Sequence, residues 1–131
     1  MKMILFFSIV LLCFQTSKAQ ESMTTTEDII FETKDIDVIP DFPGGLDVFY
    51  TYFDKNFKKP DVPQLIGKLF ISFIVEKDGS ITDVATVKDI GFGTGTEATR
   101  VLQSSPKWIP GRKAGKVVRV KYILPIGIHT D

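Results

Sequence analysis

The sequence predicts a two-layer α+β domain whose elements follow in the order helix, strand, strand, helix, strand. Apolar residues alternate with other residues over 67–76 and 117–124, which is the period of a half-buried strand. Aromatic and apolar residues recur at helical spacing over 46–57. The dipeptide Asp78-Gly79 separates two strand-like segments, as in a tight hairpin. We therefore expect a three-stranded antiparallel sheet covered on one face by two helices.

The first helix is predicted over Leu46–Asn56, after the turn Pro40–Gly45, whose two prolines disfavour helix. One helical face carries the apolar and aromatic residues that we expect in the core, and the residue after the helix extends this stripe: Leu46, Phe49, Tyr50, Phe53 and Phe57. Lys58 and Lys59 follow, where cations suit the negative end of the helix.

The hairpin is predicted from Gly67–Glu76, the turn 77–80 and Ile81–Ile90. The glycine-rich segment 91–96 comes next, in a position that phosphate-binding loops also occupy. Its spacing is G-x-G-x-G, residue 96 is threonine, and a hairpin precedes it instead of a parallel crossover. These features favour a flexible lead into a second helix, Thr96–Ser104, over phosphate binding.

The last strand is predicted over Val117–Leu124, and we expect it to be the functional surface. Val118, Val120, Tyr122 and Leu124 alternate with Val117, Arg119, Lys121 and Ile123. An exposed strand edge binds an extended peptide through main-chain hydrogen bonds. Four or five such bonds at about 1 kcal/mol each, with side-chain pockets, give roughly 5–8 kcal/mol before the cost of association, hence weak to moderate affinity. Two turns are expected to support this edge: Phe42, Pro43 and Gly44, and Trp108, Pro110 and Gly111.

The first 19 residues are predicted to be a cleavable signal peptide. Lys2 precedes an apolar segment of 12 residues, 3–14, and Ser17-Lys18-Ala19 supplies small residues before the cut. A spanning helix needs about 20 apolar residues, so a retained inner-membrane anchor is less favoured. Residues 20–39 are predicted to be a flexible lead and 40–131 the folded domain.

Composition disfavours catalysis, metal binding and nucleic-acid binding. Cys13 is the sole cysteine and lies in the predicted signal, where Leu12 before it disfavours lipid attachment. His129 is the sole histidine, and no nucleophile–base pair or carboxylate pair stands out. We expect no enzyme activity, no metal and no cofactor. The formal net charge is zero, yet 100–121 holds seven basic residues and no acidic one, which suits either a protected strand edge or an acidic or phosphate-bearing partner.

Several segments together resemble the TonB C-terminal domain family. They are the turn PDFPGG before the aromatic helix, the hairpin GKLFISFIVEKDGSITDV, the motif SPKWIPG and the closing strand GKVVRVKYILPI, so the likeness covers 40–127. The resemblance implies a periplasmic module that grips the N-terminal box of an outer-membrane TonB-dependent transporter, as an added strand beside Val117–Leu124, in support of energy-coupled uptake.

A second interpretation uses the same strand edge for another purpose. The protein would then be a periplasmic interaction or structural protein that binds peptidoglycan, another peptide or itself. A strand-exchanged homodimer is one form of that self-association, because an exposed edge pairs readily with a second copy.

Overall fold

The computed structural model describes residues 29–131. The predicted signal peptide, 1–19, and the first part of the predicted lead, 20–28, lie outside the described residues. Within 29–131, neither helix has the length and apolar character that crossing a bilayer requires.

Two α-helices and five strands make up the described chain. In order they are β1 (Ile30–Glu32), a short 3-10 helix (Thr33–Asp35), α1 (Leu46–Asn56), β2 (Ile66–Val75), β3 (Ile81–Lys88), α2 (Thr94–Gln103), β4 (Gly111–Lys113) and β5 (Lys116–His129). The predicted α+β class is confirmed, and α1 has the predicted bounds.

The sheet has the strand order β1-β5-β2-β3, with β4 also paired to β5. β2 runs antiparallel to both β3 and β5, as predicted, whereas β1 runs parallel to β5. The prediction of a three-stranded, purely antiparallel sheet is therefore wrong in strand count and in direction. The two additional strands have three residues each, which is too short to show the alternation from which strands are predicted.

The core lies between the sheet and the helices. Phe49 and Phe53 of α1 are buried, and the buried residues of α2 include Ala98, Val101 and Leu102. The sheet contributes the alternate residues of β2 and β5 that face the helices, namely Leu69, Ile71, Phe73, Val75, Leu124, Ile126 and Ile128. The period of two in each strand thus places one apolar face on the core.

The glycine-rich segment leads into α2 and is held by short-range hydrogen bonds. Asp89 accepts a hydrogen bond from the Gly91 amide at 2.9 Å, and the Thr94 hydroxyl donates to the Gly91 carbonyl at 2.6 Å. Gly93 has a φ of 74°, which glycine adopts without strain, and α2 begins at Thr94, two residues before the predicted start. This geometry agrees with a helix lead-in.

Candidate functional site

β5 contains every residue of the predicted peptide-binding strand and extends further, to His129. Val118, Val120 and Leu124 are buried, Tyr122 is half-buried, and Lys121 and Ile123 are exposed. β2 pairs with this strand continuously, from Val75 opposite Val120 to Ile66 opposite His129. The predicted alternation is thus present, and one long side of the strand is occupied by β2.

The other long side of β5, which faces away from β2, is called here the outer edge. β1 lies along it, with Ile30, Phe31 and Glu32 in register with Arg119, Val120 and Lys121. From the sequence, these β1 residues are expected to belong to the flexible lead, 20–39. They form instead a short strand on the predicted binding edge.

Pro125 shows which backbone groups point to the outer edge. Proline has no amide hydrogen, so within a sheet it occurs where its nitrogen faces away from the neighbouring strand. The Pro125 carbonyl accepts a hydrogen bond from the Tyr50 hydroxyl at 2.8 Å, which also places that carbonyl outside the β2–β5 ladder. Residues two apart on a strand direct their backbone groups to the same side. The amides and carbonyls of Arg119, Lys121 and Ile123 therefore face the outer edge.

These groups are not equally available. β1 pairs with the segment that contains Arg119 and Lys121, and Tyr50 takes the carbonyl of Pro125. The phenol of Tyr50 is protonated at neutral pH at its ordinary pKa of 10.0, and burial raises this pKa further. Between β1 and Pro125, no strand of the described chain covers Ile123 on this side, and its side chain is 53% exposed.

Arg119 forms an ion pair across the end of the hairpin. Its guanidinium donates to the two carboxylate oxygens of Glu76 at 2.7 and 3.0 Å. This interaction, with a further hydrogen bond from the Thr82 hydroxyl, holds the pKa of Glu76 below its usual value. The charge of Arg119 is thus paired with a carboxylate of the same chain, whereas Lys121 is exposed beside the outer edge.

The two predicted supporting turns meet through the rings of Phe42 and Trp108, and the neighbouring residues Asp41 and Ile109 exchange two backbone hydrogen bonds. The two rings pack edge to face with centroids 5.4 Å apart, and Trp108 also contacts Phe73 and Tyr122. Pro43 and Gly44 are exposed, Pro110 is half-buried and Gly111 is buried. A Cβ on Gly111 would lie 2.7 Å from Cγ2 of Val120, so this glycine allows β4 to approach β5 closely.

Two cavities flank β1 on the surface. One, of about 430 Å³, is lined by Glu32, Thr33, Ile39, Lys121, Tyr122 and Ile123. The other, of about 330 Å³, is lined mainly by Phe31, Val117, Lys77, Lys113 and Lys116. The Lys113 ammonium lies 4.7 Å from the centre of the Phe31 ring, a cation–π contact.

Sequence reasoning missed β1, Tyr50 and Pro125 as determinants of the edge. Pro125 carried a signal, because a proline inside an alternating apolar segment indicates an edge strand. β1 carried only a weak signal, because the apolar segment Ile29–Phe31 is too short to show a period. Among residues 29–131, no three or more His, Cys, Asp or Glu side chains are grouped so that they could hold a metal ion.

The comparison with protein families gives a match. The family model described as the C-terminal part of the Gram-negative bacterial TonB protein matches residues 64–127, from the start of β2 to near the end of β5. A search of curated proteins finds no match. The matched segment contains the predicted binding strand, the hairpin and α2, whereas β1 and α1 precede it.

Proposed function

Since the chain belongs to the TonB C-terminal domain family, through residues 64–127, we propose that it captures the N-terminal box of an outer-membrane TonB-dependent transporter. The family is one of non-enzymatic protein-interaction domains of the Gram-negative envelope. The proposal adds the location, which is the periplasm after signal cleavage, and the role, which is support of energy-coupled uptake.

The observation that carries this proposal is the outer edge of β5. Ile123 is exposed there, and its outward backbone groups face no strand of the described chain. The adjoining cavity of about 430 Å³ has room for a side chain of an added strand. Alternate side chains of such a strand point to opposite faces, so the cavity selects among sequences while the backbone supplies the affinity.

Nuclear magnetic resonance tests the proposal directly. The isotopically labelled processed chain, from Gln20 onward, is titrated with synthetic peptides from transporter N-termini. We expect the changes in amide chemical shift to be concentrated from Arg119 to Leu124, just before Pro125. Ile123→Pro removes one outward amide hydrogen and should weaken binding about fivefold to tenfold, because one hydrogen bond nets about 1 kcal/mol.

Ile123→Ala is the matched control, because it shortens the same exposed side chain and keeps the amide hydrogen. Val120 is unsuitable for a proline substitution, since it is buried and pairs with Val75 of β2. Equal weakening by both Ile123 variants would show that the side chain, and not the backbone, makes the contact. Absence of shifts with any box peptide at millimolar concentration would refute the transporter proposal and favour the cell-wall or self-association alternative.

A further inference from the structure

We infer that β1 is an intramolecular occupant of the outer edge, and that a partner strand binds by displacing Ile30–Glu32 from β5. The inference rests on the proposed function, because it names what that edge must release before a partner adds. It assigns a role to residues that lie before the family match.

The backbone geometry makes β1 and a partner strand competitors. Arg119, Lys121 and Ile123 direct their amides and carbonyls outward, and β1 is in register with the first two. Ile123 alone offers unpaired outward groups before Pro125, whose carbonyl already accepts from Tyr50. Further along β5, Pro125 lacks an amide hydrogen and its carbonyl is bonded to Tyr50, so the ladder is interrupted before Gly127. A peptide that pairs with Ile123 through four or five consecutive main-chain hydrogen bonds therefore needs the segment that β1 covers.

β1 is held weakly enough to leave. It has three residues, none of them buried, and Ile30 is 43% exposed. The ion pair of Glu32 within the described chain is with Lys34, and both side chains are more than 60% exposed, at 66% and 75%. Such exposed pairs contribute little to stability. Release of β1 thus exposes the edge without opening the core.

The surroundings of Phe31 indicate the chemistry of the partner. Lys77, Lys113 and Lys116 line the cavity beside this ring, and within residues 29–131 none of the three forms an ion pair. An extended peptide that replaces β1 would place a large apolar side chain where Phe31 lies and acidic side chains opposite the lysines. β1 itself supplies the apolar side chain, Phe31, whereas its acidic residue, Glu32, lines the other cavity.

A reversible crosslink tests the displacement. Glu32 and Lys121 are register partners with exposed side chains, and neighbouring strands bring such Cα atoms within the range that a disulfide spans. The processed chain contains no other cysteine, since Cys13 lies in the signal. In the double variant Glu32→Cys, Lys121→Cys, oxidation should weaken peptide binding at least tenfold, and reduction should restore it. Each single variant serves as a control for the loss of its side chain.

A proline pair tests the same point from the opposite direction. Phe31 is in register with Val120, which lies between the outward residues Arg119 and Lys121. The backbone groups of Phe31 therefore face β5, while those of Ile30 face away. Phe31→Pro in the full processed chain should free the edge and tighten binding about tenfold, because β1 no longer competes. Ile30→Pro should change the affinity less than twofold.

The probes are transporter N-terminal peptides and a synthetic peptide with the sequence of residues 29–35. Binding of the 29–35 peptide to the Phe31→Pro chain, with chemical-shift changes from Arg119 to Ile123, would support the inference. If every transporter peptide failed to bind in the same experiment, only the proposed function would be refuted. Equal binding of transporter peptides by the oxidised and reduced forms would refute the inference and leave the proposed function standing. A native dimer that Phe31→Pro dissociates would also overturn it, because β1 would then be exchanged between copies.

Discussion

Replacing Gly79 by alanine tests how the hairpin turn holds Trp108. Gly79 has a φ of +85°, and a Cβ at this position would lie 2.0 Å from the carbonyl oxygen of Trp108. The Gly79 carbonyl also accepts a hydrogen bond from the Trp108 amide at 2.8 Å. Relief of the clash to a 3.0 Å contact requires the turn and the Trp108 segment to separate by roughly 1 Å, which breaks this hydrogen bond.

Two costs follow from that displacement. A positive φ with a side chain costs about 1 kcal/mol. The lost hydrogen bond near Trp108, whose side chain is only 2% exposed, costs about 2 kcal/mol more. We expect Gly79→Ala to lower the free energy of unfolding by about 3 kcal/mol. Gly91→Ala should lower it by only about 1 kcal/mol, because Gly91 has a φ of +82° and no atom within 4 Å of its added Cβ.

Urea unfolding measures both variants, with circular dichroism for the backbone and the fluorescence of Trp108, the sole tryptophan, for the turn. A difference of about 2 kcal/mol separates the two midpoints by about 1 M urea. Equal losses in Gly79→Ala and Gly91→Ala would refute the reasoning, because the contact with Trp108 would then contribute nothing beyond backbone strain.

Two further predictions concern stability. Glu76→Gln should lower the free energy of unfolding by about 1 kcal/mol at pH 7, while Glu32→Gln should have almost no effect, since the Glu76 pair with Arg119 is bidentate and partly buried and the Glu32 pair is exposed. Because the folded pKa of Glu76 lies below its usual 4.5, this contribution is present above pH 4.5 and is lost as the pH falls through the folded pKa. A difference in unfolding free energy between the native protein and Glu76→Gln that stays constant down to pH 2 would contradict the assignment. Thr94→Val should cost about 1–2 kcal/mol, because the buried Thr94 hydroxyl donates to the Gly91 carbonyl at 2.6 Å, and thermal unfolding would measure it. Thr99→Val, which removes a half-buried hydroxyl bonded within its own helix, should cost less than 0.5 kcal/mol, and equal losses from the two threonine variants would show that the α2 lead-in is not held by Thr94.

Local periodicity predicted the elements that are long enough to show it. α1 was predicted from one stripe of aromatic residues and the hairpin from alternation about Asp78-Gly79, and the structure contains both. The end of β5 was predicted five residues early, at Leu124, because Pro125 and Gly127 interrupt the pattern of strand-forming residues. Ile126 and Ile128 continue the alternation beyond that point and are buried.

The sequence by itself determined the α+β class, the antiparallel core of β2, β3 and β5, and the apolar face of each strand, because side chains alternate and their polarity is readable. Only the tertiary structure decided which backbone groups on β5 are occupied, through β1 at Arg119–Lys121 and Tyr50 at Pro125. The physical reason is that backbone amides and carbonyls lie in the plane of the sheet and occur in every residue, apart from the amide hydrogen that proline lacks. The polarity of the side chains therefore does not indicate which partners these backbone groups have.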